Sequence, residues 1–307
     1  MRRVLVTGAT GFVGRAVVAA LAGSGNAVRA AVRSDPNPPF AGNVEVARHA
    51  DLSQPIDWRP LIEGAEIVIH LAGIAHITTN LAADLYDRVN HLATAQAAAA
   101  ARELGVRHFI LVSSIRAQCG PASDHVLTER DRALPTDAYG RSKLAAEAAV
   151  VSSGVPFTVL RPVLLYGPGV KGNFATLVRA ASSPWPLPIR SFTNRRTLLG
   201  IENFIAALGF LLSTASPLGA AYIVADPGAS LSFAELIAVM RQARGRRPLL
   251  LPLPPAALEL PLRLLGRTGL WQRIGGNLLA DPGKLIAAGW QPAHDTAAGV
   301  EAMIRSA

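Results

Sequence analysis

The chain has 307 residues, half of them apolar and 17% charged, enough hydrophobic material for a sizeable core and too little charge for a disordered chain. Its net charge of +9 comes from scattered arginines, with lysine only at Lys143, Lys171 and Lys284, and no basic run interleaves with aromatics as a single-strand nucleic-acid binder requires. Cys119 stands alone and the histidines show no metal-ligand spacing, which argues for a reducing, cytoplasmic setting and against a metal site. No apolar run reaches the roughly 18 to 20 residues of a membrane span.

The opening Met1-Arg2-Arg3 is followed by an apolar stretch that ends at Thr7-Gly8, so it reads as a strand rather than an export signal. From there Arg3 to Thr7 runs into Gly8-Ala9-Thr10-Gly11-Phe12-Val13-Gly14 and a helical pattern from Arg15 to Ala22. Strand, glycine turn and helix N-terminus in that order form a cradle for a pyrophosphate. Gly8 permits the turn, Gly11 lets the backbone approach the phosphates, and Gly14 lets the helix pack on the strand.

Further strand-like runs occur at 27–32, 44–48, 66–71, 108–113 and 157–160, with helical patterns between them, most clearly Asn90 to Leu104. This βαβα order predicts an α/β fold with a doubly wound parallel sheet and helices on both faces. After Arg161-Pro162 the alternation stops. Residues 163–195 read as loop-rich, a helix at 201–212 and a strand at 221–225 return to the sheet, and 226–307 read as a smaller, mostly helical lobe. The expected division is therefore 1–165 with 197–225 as a dinucleotide-binding domain, and 166–196 with 226–307 as a substrate lobe.

Tyr139-Gly140-Arg141-Ser142-Lys143 opens a helical stretch that runs to Val150. The i,i+4 spacing puts the phenol and the ammonium on one helix face. Ser113-Ser114 stands at the carboxyl end of the fifth strand, and ligands of open α/β sheets sit outside those ends.

With these residues in place, the chain resembles the extended short-chain dehydrogenase/reductase family of NAD-dependent epimerases and dehydratases. The resemblance covers essentially the whole chain: residues 7–14, Asp51-Leu52, His70 to Gly73, Asn90, Ser113-Ser114, Tyr139 with Lys143, 161–169 and 285–292. It is most like bacterial UDP-sugar 4-keto reductases of lipopolysaccharide sugar synthesis, which are also UDP-glucose 4-epimerase-like.

The resemblance implies a Rossmann domain with Ser114, Tyr139 and Lys143 as the catalytic group. Tyr139 would exchange a proton with a sugar hydroxyl or ketone, its phenol pKa lowered from about 10 by Lys143 and the oxidised nicotinamide. Lys143 would also hold the nicotinamide ribose, and Ser114 would bind the same substrate oxygen as Tyr139, with Ser113 beside it a turn residue. Gly8, Thr10, Gly11, Phe12, Val13, Gly14, Arg33, Asp51, Leu52, Leu71, Ala72, Gly73, Asn90 and Pro162 would complete the cofactor site. Arg196, Lys171 and Asn173 would contact the diphosphate or uracil of a nucleotide sugar.

Arg33 ends the second strand, where an arginine accommodates a 2′-phosphate and a carboxylate binds the ribose hydroxyl. NADP(H) is therefore favoured over NAD(H), and net reduction over epimerisation, with Asp35 two residues on as the counter-indication. Two departures stand against galactose-type epimerisation. Leu164 occupies the place of a sugar-contacting asparagine, and no second diphosphate arginine is evident around Gly275-Gly276-Asn277.

Four alternatives remain at this point: a UDP-4-keto-6-deoxy-sugar reductase, a 4-epimerase with tightly held NAD, a reductase of flavonoid-like or steroid-like ketones, and a non-catalytic NADP-binding sensor or scaffold. The Pro/Leu-rich segment 247–265 reads either as a lobe burying leucines or as a membrane-surface element. A homodimer through the Ala-rich helices at 90–104 and 139–150 is the remaining expectation.

Overall fold

The computed structural model describes residues 2–74, 81–170, 172–214, 218–254, 256–257 and 275–306, with the side chain of Asn173 left out. Among them, the chain divides into two compact units. Unit 1 comprises Met1–Gly120, Arg132–Pro162 and Leu208–Tyr222; unit 2 comprises Pro121–Asp131, Val163–Ala207 and Ile223–Ala307. The return to unit 1 is therefore confined to 208–222 where 197–225 was expected, because residues 197–207 are tied into unit 2 by bonds described below.

The main sheet contains seven strands in the order β3 (Val44–Arg48), β2 (Ala27–Val32), β1 (Arg3–Thr7), β4 (Ile67–His70), β5 (His108–Val112), β7 (Phe157–Pro162) and β11 (Ala221–Val224). Each pairing from β3 through β7 is parallel. This is the doubly wound α/β sheet that the sequence predicts. Strand order reverses between β1 and β4, and that switch point opens a crevice at the strands' carboxyl ends. Because the central strands are covered on both faces, they are nearly all apolar: β5 is buried along its whole length.

The helices α1 (Phe12–Gly23), α4 (Ala93–Glu103) and α5 (Ala138–Ser153) pack on this sheet. Small side chains let them approach closely. Ala93, Ala97, Ala98 and Ala101 of α4 join Ala146 and Val150 of α5 in one core with Val68, Phe109 and Leu111. These alanine faces are spent inside the chain. A π-helical turn at Asp87–Leu92 precedes α4 and contains Asn90.

In unit 2, β8 (Leu164–Tyr166) pairs with β10 (Leu198–Gly200), and α6 (Gly172–Ser182), α8 (Phe233–Ala243) and α10 (Thr296–Arg305) surround a second core. The helix α6 corrects the loop expected at 163–195. Phe174, Leu177, Val178 and Ala181 recur at i, i+3, i+4 and i+7, and that stripe faces the core. Of the Pro/Leu-rich segment 247–265, residue 255 and residues 258–265 lie outside the described residues.

One buried carboxylate organises unit 2. Asp226 accepts from the Tyr166 hydroxyl at 2.8 Å, the Thr296 hydroxyl at 3.0 Å, the Gly200 N–H at 2.8 Å and Asn203 Nδ2 at 2.8 Å. Asn203 in turn binds the Ala293 N–H and the His294 carbonyl. Burial and the Asp226 charge push the Tyr166 phenol well above its ordinary pKa, so it remains a donor. Asp226→Ala would leave four buried donors without an acceptor and should cost about 3 kcal/mol or more. Urea denaturation followed by circular dichroism measures this, and Asp226→Asn, which keeps one acceptor oxygen, should lose less.

Candidate active site

In unit 1 the chain leaves β1 and turns at Gly8, with φ +65°. The Gly11 N–H closes the turn on the Gly8 carbonyl at 3.1 Å, and α1 starts at Phe12. A methyl group at Gly14 would overlap the Gly8 carbonyl oxygen, so the helix can sit this close only with glycine there. No side chain caps α1 and its first turn holds no acid, leaving its N–H groups and positive dipole end for an outside anion. The cradle therefore fits a pyrophosphate, with Thr10 and Gly11 exposed and Phe12 and Val13 half-buried at its edge.

A proton-ordered chain runs behind the cradle. Thr94 Oγ1 donates to the Asn90 carbonyl at 2.7 Å, so it can only accept from His70 Nε2 at 3.0 Å. His70 Nδ1 is then the acceptor for the Thr7 hydroxyl at 3.0 Å, and Thr7 accepts the Ala72 N–H at 3.1 Å. The ring stays neutral: burial, then the charge of Lys143, lowers its pKa to about 3. Trp58 and Phe109 flank the imidazole at ring-centroid distances of 5.7 Å.

The half-buried Leu71 and buried Ala72 lead from β4 to the exposed Gly73. A Cβ on Gly73 would lie 2.8 Å from Asn90 Oδ1 and 3.4 Å from Lys143 Nζ, so this backbone passes directly over the site. Asn90 clamps it, accepting from the Ile74 N–H at 2.7 Å and donating to the Ile74 carbonyl at 3.1 Å. The same amide donates to Ser142 Oγ at 3.0 Å, and Ser142 donates to the Tyr139 carbonyl. Pro162 is buried at the end of β7.

Ser114, Tyr139 and Lys143 come together as expected. Asp137 caps α5 by accepting the Gly140 N–H at 2.8 Å, and Arg116 grips Asp137 at 2.5 Å. Ser114 accepts the Arg116 N–H at 3.2 Å and hydrogen-bonds the Tyr139 phenol. One turn on, the buried Lys143 ammonium donates to the Val112 carbonyl at 3.1 Å.

The expected lowering of the Tyr139 pKa by Lys143 is corrected. Burial raises it, and the groups that oppose the rise are the Ser114 hydroxyl and Arg116. Lys143 itself is brought down to about 8 by burial, with Glu147 working against the drop.

Ser113 is likewise no turn residue. It is buried and donates to Glu147 at 2.5 Å, and Glu147 is held by Arg161 Nε at 3.0 Å and Nη2 at 2.6 Å. Arg161 also donates to Gln118. Asp137 was legible as an N-cap ahead of a helical run, whereas Arg116, Thr94 and Gln118 carry no local signal.

At the end of β2, Arg33 is 72% exposed and lies 3.8 Å from Asp51, whose carboxyl is held below the usual range chiefly by the Ser53 N–H. Leu52 beside it is buried. Asp35 is engaged by Arg48 through two nitrogens. In unit 2, Arg196 on β9 (Arg195–Arg196) donates to the Pro121 carbonyl at 3.0 Å. Lys171 and the Asn173 side chain lie outside the described residues.

Residues 4–225 match the NAD dependent epimerase/dehydratase family. The chain is 32% identical over 302 residues to a UDP-glucose 4-epimerase of Vibrio cholerae, covering 95% of this chain and 91% of that protein. It is 38% identical over 206 residues to a ceramide reductase of Caulobacter vibrioides, covering 67% of this chain and 59% of the relative. It shares the fold of the Bacillus cereus UDP-glucuronic acid 4-epimerase in complex with NAD, with a TM-score of 0.77 at 20% identity over 98% and 97% of the two chains.

The neutral His70 makes unit 1 sensitive to acid. Its pKa is about 3 in the folded chain against 6.5 for the free side chain, so between those values the unfolded chain takes up a proton that the native state refuses. This contribution is complete above pH 6.5 and is lost as pH falls toward 3. His108, lowered to about 4 by burial, adds in the same direction. Urea midpoints of His70→Gln against pH should therefore show a shallower acid limb than wild type, by an amount on the order of a few kcal/mol.

Proposed function

Because this chain belongs to the NAD dependent epimerase/dehydratase family, we propose that it is a nicotinamide-dependent oxidoreductase of a nucleotide sugar, with 4-epimerisation of a UDP-sugar as the leading activity. The observation that supports this best is the meeting of Tyr139 and Lys143, on one face of α5, with Ser114 and Val112 at the carboxyl end of β5, beside a glycine turn. The nearly full-length likeness to a UDP-glucose 4-epimerase supports the sugar class.

In this reading the cradle at Gly8 to Gly14 holds the cofactor pyrophosphate, Asp51 and Leu52 face the adenine, and Ala72, Gly73, Asn90 and Pro162 border the nicotinamide half. The nicotinamide, when bound, supplies reversible hydride transfer. Tyr139 takes the hydroxyl proton as the sugar is oxidised and returns it on reduction. Burial favours the protonated phenol that returns the proton on reduction, while the Ser114 hydrogen bond and the Arg116 charge favour the phenolate that takes the hydroxyl proton on oxidation. Ser114 orients the sugar oxygen, and Lys143 binds ribose hydroxyls through ammonium protons not committed to Val112. Arg196, Lys171 and Asn173 serve as contacts to the diphosphate or base.

A second reading is favoured by the end of β2. The carboxylate that would bind a ribose 2′-hydroxyl, Asp35, is engaged by Arg48, and Arg33 stands exposed beside it. That arrangement suits a 2′-phosphate, hence NADP(H) and net reduction of a UDP-4-keto-6-deoxy sugar in polysaccharide synthesis. Mass spectrometry of the native protein separates the two readings: tightly retained NAD supports epimerisation, and its absence with selective NADPH binding supports reduction.

Tyr139→Phe should reduce turnover by about 10²- to 10⁴-fold with cofactor affinity near normal. Retention of more than about a tenth of the wild-type rate would remove Tyr139 from proton transfer. Lys143→Ala should weaken both cofactor affinity and rate.

Calorimetric titration of Arg33→Asp with both cofactors tests the second reading. Replacing the guanidinium by a carboxylate should lower NADP(H) affinity by about ten- to a hundredfold and raise NAD(H) affinity. No change in either affinity would leave the epimerase reading alone.

A further inference from the structure

Unit 2 carries an outward face that the proposed chemistry does not use. Residues 171–201 contain no aspartate or glutamate, and neither do residues 236–258, so every charged side chain in both stretches is basic. The structure brings the two stretches together. The Leu187 N–H donates to the Leu249 carbonyl at 3.0 Å, the Leu251 N–H to the Leu187 carbonyl at 2.8 Å, and the Arg190 N–H to the Leu251 carbonyl at 3.0 Å. From beneath, the buried Arg241 of α8 donates to the carbonyls of Trp185, Ser183 and Pro248 at 2.6, 3.0 and 3.4 Å.

This pairing sorts the apolar side chains. Leu187, Ile189 and Leu250 pack on the unit 2 core. Trp185 remains 74% exposed, Leu249 50% and Leu251 51%. Leu249 is the non-glycine residue with positive φ among the described residues, at +29°, a conformation that a leucine does not adopt by preference, and its carbonyl accepts the Leu187 N–H. Arg190, Arg246 and Arg247 are exposed on the same two paired stretches.

We propose that this face docks on an anionic lipid bilayer, with Trp185, Leu249 and Leu251 seated at headgroup depth and the surrounding arginines on lipid phosphates. An exposed indole and leucines on stretches whose charges are all basic match the chemistry of a membrane–water interface, where apolar area and attraction to anionic lipid add. Pro184, Pro186, Pro188, Pro252 and Pro254 lack N–H groups, so this backbone brings fewer unsatisfied donors into a poorly hydrated layer. A second copy of the chain is a poor occupant, because a two-fold contact would set the arginines of one face against those of the other. No helix among the described residues is long and apolar enough to cross a membrane, so the attachment is peripheral.

Vesicle co-sedimentation with the full chain tests this. Wild type should bind phosphatidylcholine vesicles containing phosphatidylglycerol, bind phosphatidylcholine alone far less, and lose binding as salt rises. The triple variant Trp185→Ser, Leu249→Ser, Leu251→Ser should bind anionic vesicles about tenfold or more weakly, as should Arg190→Glu with Arg247→Glu. Unchanged melting temperature and cofactor affinity would show that both variants are folded. The proposal is overturned if wild type ignores anionic vesicles, if the folded triple variant binds as well as wild type, or if light scattering shows a wild-type dimer that this variant turns into a monomer.

Discussion

The candidate site depends on the register of one helix against the end of one strand. Three successive residues of the β5 terminus meet three residues of α5 spaced one turn apart: Val112 takes Lys143, Ser113 takes Glu147 and Ser114 takes Tyr139. A slip of α5 by one turn, about 5.4 Å, would part the phenol from the serine and the ammonium from its carbonyl together. Both ends of the helix segment are therefore pinned. At its start, Arg116 holds Asp137 while Asp137 caps the helix; two turns on, Arg161 holds Glu147. A buried ion pair such as Arg161 with Glu147 contributes little net stability over an apolar pair of similar volume. Its effect here is to make one register far better than its neighbours.

A second support is a chain of side-chain hydrogen bonds. The path from Ala72 through Thr7, His70 and Thr94 to Asn90 joins β1, β4 and the helix that faces α5, with the direction of each proton set by the one before. The π-helical turn at Asp87–Leu92 lets Asn90 do two jobs at once. Its carbonyl ends the path while its amide clamps Ile74 and reaches Ser142. The loop after β4 and the helix carrying Tyr139 are thus held by one side chain.

Much of this was legible in the sequence because periodicity and order carry it. The strands β1, β2 and β3 begin and end where their apolar and β-branched runs do, and the glycine spacing marked the turn from β1 into α1. The helix α6 was passed over because Gly167, Pro168 and Gly169 before it and Pro184 to Pro188 after it read as loop, although Phe174, Leu177, Val178 and Ala181 carry a helical stripe. Ser113 was misjudged because its partner lies 34 residues away on α5. The engagement of Asp35 by Arg48 was hidden for a similar reason: parallel pairing of β2 with β3 sets Val32 opposite Arg48, and only that register brings the arginine to the loop. Pattern reveals what a segment does with its own neighbours; charge pairing between distant segments needs the fold.

The carboxylate of Asp226 also bears on how the protein is made. Its partners lie 60 residues upstream, at Tyr166, and 70 downstream, at Thr296. On the ribosome, Tyr166, Gly200 and Asn203 emerge well before Thr296, so a nascent unit 2 must wait with its central anion incompletely bonded while the sheet strands through β7 are already available. Chains halted ahead of Thr296 would lack both that hydroxyl and the α10 side chains Val300, Met303 and Ile304 that complete the unit 2 core, leaving apolar surface open to water.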